Sequence, residues 1–327
     1  YSHPIPLSTQ SSPPHFQIPK LHPQSPQRYY PFPNSIGILI PYFPTQSPSQ
    51  LFHITQLAHS FNLLRNQSSP NDNYYKYKSK LHTLSFTLMT SLPPPSLPSS
   101  LVSQFDLILT TNSSFPSDES SELIMKYNFL LNSIFEKTLY VSSSTRFCHD
   151  PTEVFHALKW SHITGVYESR NIVHLHSPLA LNPNYIAFDR SFESGNVFVS
   201  MIHRLKENTS ERIDESEVLK RVLEVDENVR VHTMISRFYM QVCLKDKSQC
   251  WVEGKVIAVG GEEWDGFREE KNRTSVEELC ENVNRFVDQT RFIQPRKDHK
   301  ENSKNAPNVL LLEQKGREFE LIDQSMK

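Results

Sequence analysis

Between residues 36 and 167 the sequence switches repeatedly between two hydrophobic periods, and that alternation limits the fold more than any other feature. Ile36-Gly-Ile-Leu-Ile40 is a short apolar run stopped by Pro41 and Pro44, as a buried strand would be. Leu51 to Arg65 follows, apolar at Leu51, Ile54, Leu57, Ala58, Phe61 and Leu64, which is helical spacing. Residues 66–80 are polar and read as a loop. Leu81–Met89 alternates as a second strand, Pro93-Pro94-Pro95 marks a loop, and Phe105–Leu109 gives a third strand. Glu119–Phe135 reads as a helix that Ser117 or Asp118 would cap. Thr138–Val141 is a fourth strand. Asp150-Pro151-Thr152-Glu153 opens a helix running to Trp160, with proline in the first turn, and Ile163–Tyr167 closes the series. Strands alternating with helices favour an α/β fold in which a mostly parallel sheet is covered by helices.

After Leu181 the texture changes. Tyr185–Phe188 and Val197–Ile202 read as β-like stretches and Asp214–Leu223 as a helix. Strands are expected at Phe238–Leu244 and Trp251–Val259, joined by a turn at 245–248. Ser275–Val287 carries Val276, Leu279, Cys280, Val283, Phe286 and Val287 on one helical face. The charged stretch 297–304 reads as a loop and Val309–Leu312 as a last strand. Hydrophobic residues make up 37% of the 327, a little low for a packed domain. The deficit lies at the front, where residues 1–35 are rich in Pro, Ser, Gln and His without apolar periodicity. They are expected to be a disordered stem, with 36–327 a single domain.

A net charge of -2 provides no basic face for phosphates, so nucleic acid is not an expected partner. No apolar run approaches the ~20 residues that span a bilayer. The chain begins at Tyr1 rather than Met, so membrane attachment would come through an anchor upstream of it. The four cysteines, Cys148, Cys243, Cys250 and Cys280, form no Cys-x-x-Cys pair, which argues against zinc. Cys243 and Cys250 flank the 245–248 turn and read either as a cross-link or as two separate thiols. Sequons begin at Asn66, Asn112, Asn208 and Asn272. With an even cysteine count they suggest a glycoprotein of the Golgi lumen or a secreted one.

Several constellations carry little. Ser142-Ser143-Ser144 lacks the glycines of a nucleophile elbow. His174 and His176 would share one face of a strand and could bind a metal, but a surface strand is the preferred reading. Gly260-Gly261 is too short for a phosphate loop, and Glu262, Glu263 and Asp265 read as a solvated face.

The stretch from Lys126 to Phe155 is more specific. A helical lysine is followed by leucines, then Phe135-Glu-Lys-Thr-Leu139 turns into a strand, and Thr152-Glu-Val-Phe155 opens the next helix. This frame resembles GT-A-fold glycosyltransferases of the glycogenin-like, nucleotide-diphospho-sugar-transferase kind. Further pieces occur in order: Phe192-Glu-Ser-Gly-Asn-Val-Phe198, Asp214-Glu215, Ile235–Tyr239 and Gly254–Gly261. The resemblance covers about 36–290 and implies the GT-A fold, with a nucleotide-sugar bound near the ends of strands at Ile40, Val141 and Phe198. It implies that Lys126 reaches the nucleotide. Phe192, Ser194 and Gly195 would line the sugar pocket, and Asp214 would open a site helix.

Where that family holds Mn²⁺ or Mg²⁺ with two acids and a histidine, this sequence has Ser142, Ser144 and Gly260, beside Ser143 and Gly261. Carboxylates suit hard cations, and none of these replacements is anionic. Mn²⁺ or Mg²⁺ would then need a non-standard site, for which His149 and Asp150 are neighbours. The reading preferred for them is that Asp150 caps the next helix and His149 lies in the loop. Arg146, Arg237 and Lys255 are candidate fixed cations for a leaving diphosphate. Two functions follow from the resemblance: transfer of a hexose from a UDP- or GDP-linked sugar to a glycan or protein acceptor, or an inactive pseudo-glycosyltransferase serving as a binding or partner subunit.

Overall fold

The computed structural model describes residues 15–18, 35–43, 48–67, 80–92, 94–111, 119–167, 181–207, 214–234, 257–260, 280, 312–315 and 318–321. In chain order they form β1 (His15–Ile18), β2 (Ile36–Tyr42), α1 (Pro48–Gln67), β3 (Leu84–Thr90), α2 (Ser99–Val102), β4 (Leu107–Thr111), α3 (Glu119–Leu131), β5 (Lys137–Val141), β6 (Arg146–Phe147) and α4 (Val154–Ala157). Then come β7 (Ile163–Tyr167), β8 (Leu181–Asp189), α5 (Phe192–Glu207), α6 (Glu215–Val225), β9 (Val231–Met234), β10 (Ala258–Val259), β11 (Leu312–Lys315) and β12 (Glu318–Leu321). Two compact units result, Tyr1–Thr290 and Arg291–Lys327. The second, inside the stretch expected to be one domain, contains the antiparallel pair β11–β12.

The first unit is built on an eight-stranded sheet in the order β1-β4-β3-β2-β5-β8-β7-β9. It is mostly parallel, as the alternating pattern requires. β8 alone runs against its neighbours β5 and β7. Successive side chains leave a strand on opposite faces, and the strands are apolar on both. Ile38, Ile40, Leu139 and Val141 pack with Ile54, Leu57 and Phe61 of α1. Leu39, Tyr140, Ile186 and Phe188 pack with residues of α3, α5 and α6 on the other face. Gly37 is required by close approach, because a Cβ there would run into the buried ring of Phe135. α1 is moored at its far end by Arg65, whose guanidinium makes two bonds to Asp106, at 3.0 and 2.7 Å.

The structure departs from the sequence reading at several points. His15–Ile18 lies within the expected disordered stem yet pairs in parallel with β4 as an edge strand. Pro41 does not end β2, because the ladder to β5 has already finished at Leu39. Val197–Ile202 is not a strand but part of α5. Val197, Phe198, Met201, Ile202 and Leu205 are its buried residues, a helical stripe whose β-branched members mimic strand composition. The real strand, β8, is longer than Tyr185–Phe188 and tolerates Pro183. Its ladder to β5 ends at Tyr185, and the β7 side has a register shift between Gly165 and Tyr167.

Cys148 is bonded to Cys280, with a Cα–Cα distance of 5.3 Å across 132 residues of sequence. Cys243 and Cys250 lie outside the described residues, as do residues 238–256, 261–279 and 281–311, with the turn, most of the helix and part of the strands expected there. Among the described residues no helix is long and apolar enough to cross a membrane.

Candidate functional site

The order of the sheet reverses between β2 and β5: β3 and β4 lie on one side of β2, and the chain returns to place β5 on the other. In open α/β sheets, ligands bind at such a reversal, outside the carboxyl ends of the strands. β5 ends at Val141, so Ser142-Ser143-Ser144 stands at this position.

The serines form a closed turn. The Thr145 amide donates to the Ser142 carbonyl at 3.1 Å, and the Ser142 amide donates to the Asn184 carbonyl at 2.9 Å. The Ser142 hydroxyl lies 3.0 Å from that of Ser144 and 3.3 Å from that of Thr145. Short hydroxyl side chains suit such a turn because they bond locally. β6 then pairs antiparallel with β10, Arg146 opposite Val259, which brings buried Gly260 beside the turn. Gly261 lies outside the described residues.

The donor set does not fit a divalent cation held in the family's usual way. Mg²⁺ and Mn²⁺ take hard, mostly anionic oxygens. Here two neutral hydroxyls bond each other and Gly260 has no side chain. Asp150 accepts from the Thr152 amide at 2.8 Å and caps the 3-10 turn Pro151–Glu153, and the His149 amide donates to the Ile257 carbonyl.

Lys126 is near this turn but is internally engaged. It is 5% exposed, and its ammonium reaches Glu215 Oε1 at 2.6 Å and the Pro183 carbonyl at 2.9 Å, 4.4 Å from the centre of the Tyr140 ring. The Tyr127 hydroxyl donates to the same Glu215 oxygen at 2.7 Å. Burial first, then the Glu215 charge, hold the Tyr127 phenol well above its ordinary value. Asp214 is exposed and caps α6 through the amides of Ser216 and Glu217. Arg146, 8% exposed, donates to the carbonyls of Thr145 (2.7 Å) and Ser143 (3.3 Å) and meets His53 Nδ1 at 3.3 Å.

The residues expected to line a sugar pocket are elsewhere. β8 is antiparallel, and Asp189 pairs with Lys137 at the start of β5. Phe192, Ser194 and Gly195 therefore leave the sheet at the end opposite the serines, about 16 Å away along five residues of strand. Phe192 is an exposed first residue of α5, the Ser194 hydroxyl donates to the Asp189 carbonyl at 2.6 Å, and Gly195 is buried in the helix. Phe198 ends no strand and packs edge-on against Phe188 at 4.7 Å. In their place the structure brings Asn182, Pro183 and Asn184 to the serine turn, with the Asn182 side chain accepting from the Asn184 amide at 2.9 Å. Pro183, Asn184 and His53 were not singled out in the sequence, although Asn-Pro-Asn is a local turn signal, and Glu215 was named only with Asp214 as the start of a helix. Asn66 is exposed in the last turn of α1. Asn112, Asn208, Asn272, Arg237, Lys255, His174, His176, Glu262, Glu263 and Asp265 lie outside the described residues.

No protein-family model matches this sequence, and no curated protein matches it. Solved structures do. The glycosyltransferase GlyE of Streptococcus pneumoniae is similar with a TM-score of 0.46 at 13% identity, over 78% of this chain; the chain spans only 60% of that protein's length. The galactosyltransferase LgtC, solved with donor and acceptor sugar analogues, is similar with a TM-score of 0.46 at 9% identity over 77% of this chain and 95% of its own. Mouse xyloside xylosyltransferase 1 gives 0.44 at 9% identity, over 71% of this chain and 98% of its own.

Proposed function

We propose that this chain is a glycosyltransferase-type domain of the GT-A kind that binds a UDP- or GDP-linked sugar at the serine turn and has lost metal-assisted transfer. It would act as a pseudo-glycosyltransferase, a binding or partner subunit for a glycan or protein acceptor. The observation that carries this reading is the 3.0 Å hydroxyl pair of Ser142 and Ser144 where the resemblance expects two carboxylates. Position at the sheet's reversal point supports retained ligand binding. Engagement of Lys126 with Glu215 and of Arg146 with backbone carbonyls supports loss of the charge stabilisation that departure of a diphosphate demands.

The Cys148–Cys280 bond supports an oxidising compartment, the Golgi lumen or the exterior. Exposure of Asn66 is compatible with a glycan there. The reading is tested with UDP-glucose, UDP-galactose and GDP-mannose, measuring binding by calorimetry and sugar release over hours. Binding without turnover is expected. Turnover would establish hexosyl transfer, the active alternative, and failure of every nucleotide to bind would remove the reading altogether.

A further inference from the structure

We propose that the end of the sheet opposite the serine turn carries a glycan-binding surface, in which the Trp160 and Phe192 rings take the apolar faces of neutral sugars and Glu193 and Arg230 take their hydroxyls. This surface is separate from the serine turn and does not depend on nucleotide binding there.

Strand pairing brings these residues to one edge of the fold. β7 starts at Ile163, opposite Phe188 near the end of β8 and opposite Val231 at the start of β9. His162, just before it, lies between the two. Its carbonyl accepts from the Asp189 amide at 3.0 Å, and its amide donates to the Arg230 carbonyl at 2.8 Å. Trp160 precedes His162 by two residues, and Phe192 follows Asp189 by three to open α5. Such short tethers hold the two Cα atoms within about 23 Å, close enough for one oligosaccharide to meet both.

Trp160 is 69% exposed and Phe192 74%, although large aromatic side chains are ordinarily well covered. The polar groups beside them are fixed. The Arg230 amide donates to His162 Nδ1 at 3.2 Å, and one terminal nitrogen of its guanidinium lies 3.0 Å from Nε2. His162 is buried and Arg230 exposed, so the ring positions a guanidinium whose other donors are open to solvent. The Glu193 carboxyl is held below its ordinary value, first by its own backbone amide, then by the His162 ring, a Ser191 hydrogen bond and Arg230. An ionised carboxylate and a guanidinium therefore stand together next to the rings.

The chemistry selects the occupant. The core of a protein interface is contiguous, apolar and depleted of charge. Here a charged residue adjoins each ring, Lys159 beside Trp160 and Glu193 beside Phe192. An anionic lipid surface or a nucleic acid needs an excess of cations, whereas Lys159 and Arg230 are balanced by Glu193 and the exposed Glu227. A neutral sugar meets both conditions. Its C–H faces lie on aromatic rings, and its hydroxyls donate to a carboxylate and accept from a guanidinium.

The test titrates the full chain, with ¹⁵N-labelled tryptophan, with chitotetraose, cellotetraose, mannotetraose and lacto-N-tetraose at millimolar concentrations. At least one should shift the Trp160 indole signal, assigned by its loss in W160A. By calorimetry, W160A, F192A and R230M should each bind that sugar about 2- to 10-fold more weakly, the worth of one such contact. V199S, on the exposed middle of α5, should bind as the native chain does. All four side chains are exposed, and cooperative melting checks that each variant folds.

No shift with any of the four sugars, or affinity unchanged in W160A and F192A, overturns the proposal. So does self-association, or binding to phosphatidylcholine–phosphatidylserine vesicles, that W160A abolishes, because the surface would then belong to a second copy or to a membrane. UDP should leave the titration unchanged, whether or not it binds the serine turn. Competition by UDP would place the sugar at that turn and overturn the separate surface.

Discussion

Lys126 and Arg146 are both buried cations beside one turn, and they are held by opposite chemistry. Lys126 reaches from α3 to a carboxylate, Glu215, at 2.6 Å, and adds one carbonyl and an aromatic face. Arg146, on β6, meets two carbonyls and a ring nitrogen. The first ties α3 to α6 and β8, since Glu215 opens α6 and Pro183 lies in β8. The second, in its described contacts, ties β6 to the serine turn and to α1. The contrast predicts that Lys126 matters more to global stability and Arg146 more to the local order of the serine turn. A buried ion pair is costly to break on one side, because the remaining charge stays desolvated. A guanidinium on carbonyls costs less to remove, because what remains is polar but neutral.

The largest effect is expected from K126M, which strands Glu215. Denaturant unfolding should lose about 3–5 kcal/mol, and K126M/E215L should recover most of it. A single-mutant loss no larger than that of R146M would erase the distinction. Next is C148A/C280A, which frees the segment just beyond Arg146. A loss of about 2–5 kcal/mol is expected for so long a closed loop. The altered hydrogen exchange should centre on β6 and β10, with α3 and α6 spared.

R146M should cost about 1–3 kcal/mol from unsatisfied carbonyls, and protection should fall at the serine turn before it falls at α6. Burial pushes the His232 ring below its ordinary value of 6.5. The unfolded chain therefore binds this proton first. Stability attributable to His232 is complete above about pH 6.5 and falls as pH drops through it, by less than about 1.4 kcal/mol per pH unit, the one-proton limit. H232Q should flatten that part of the profile; an unchanged slope would assign it to other groups. The smallest effect belongs to the exposed pair Arg221–Glu217 on α6, 2.9 Å apart with side chains 62% and 42% exposed. E217Q should change stability by a few tenths of a kcal/mol, a difference that shrinks further at high salt. A loss approaching that of K126M would mean that burial is not what separates the two ion pairs.

Much of the architecture was legible because it rests on local pattern. Ile36–Ile40, Leu51–Arg65 and Thr138–Val141 announce β2, α1 and β5 by period alone, and the expected helix Asp214–Leu223 matches α6 to within two residues, with Asp214 as its cap. α5 was misread although its buried stripe is helical, because Val197 and Val199 weigh towards strand. The segment Phe192–Gly195, which the resemblance implied as pocket lining, follows β8 at the end of the sheet opposite the serine turn. β1 depends on pairing with β4, a gain no four-residue pattern reveals. The position of the serine turn was readable from its neighbours in the 126–155 frame. Its surroundings were not: Glu215 is 89 residues from Lys126, and His53 is 93 from Arg146. Such contacts follow from strand order, above all from the antiparallel course of β8.

The claim that these serines replace a metal site, rather than disguise one, is tested most directly by titrating UDP into the protein in EDTA and again with Mn²⁺ in excess. The account predicts one affinity, unchanged by metal, because Ser142, Ser144 and Gly260 present no anionic ligand. An affinity that tightens tenfold or more with Mn²⁺, about 1.4 kcal/mol or greater, would contradict it.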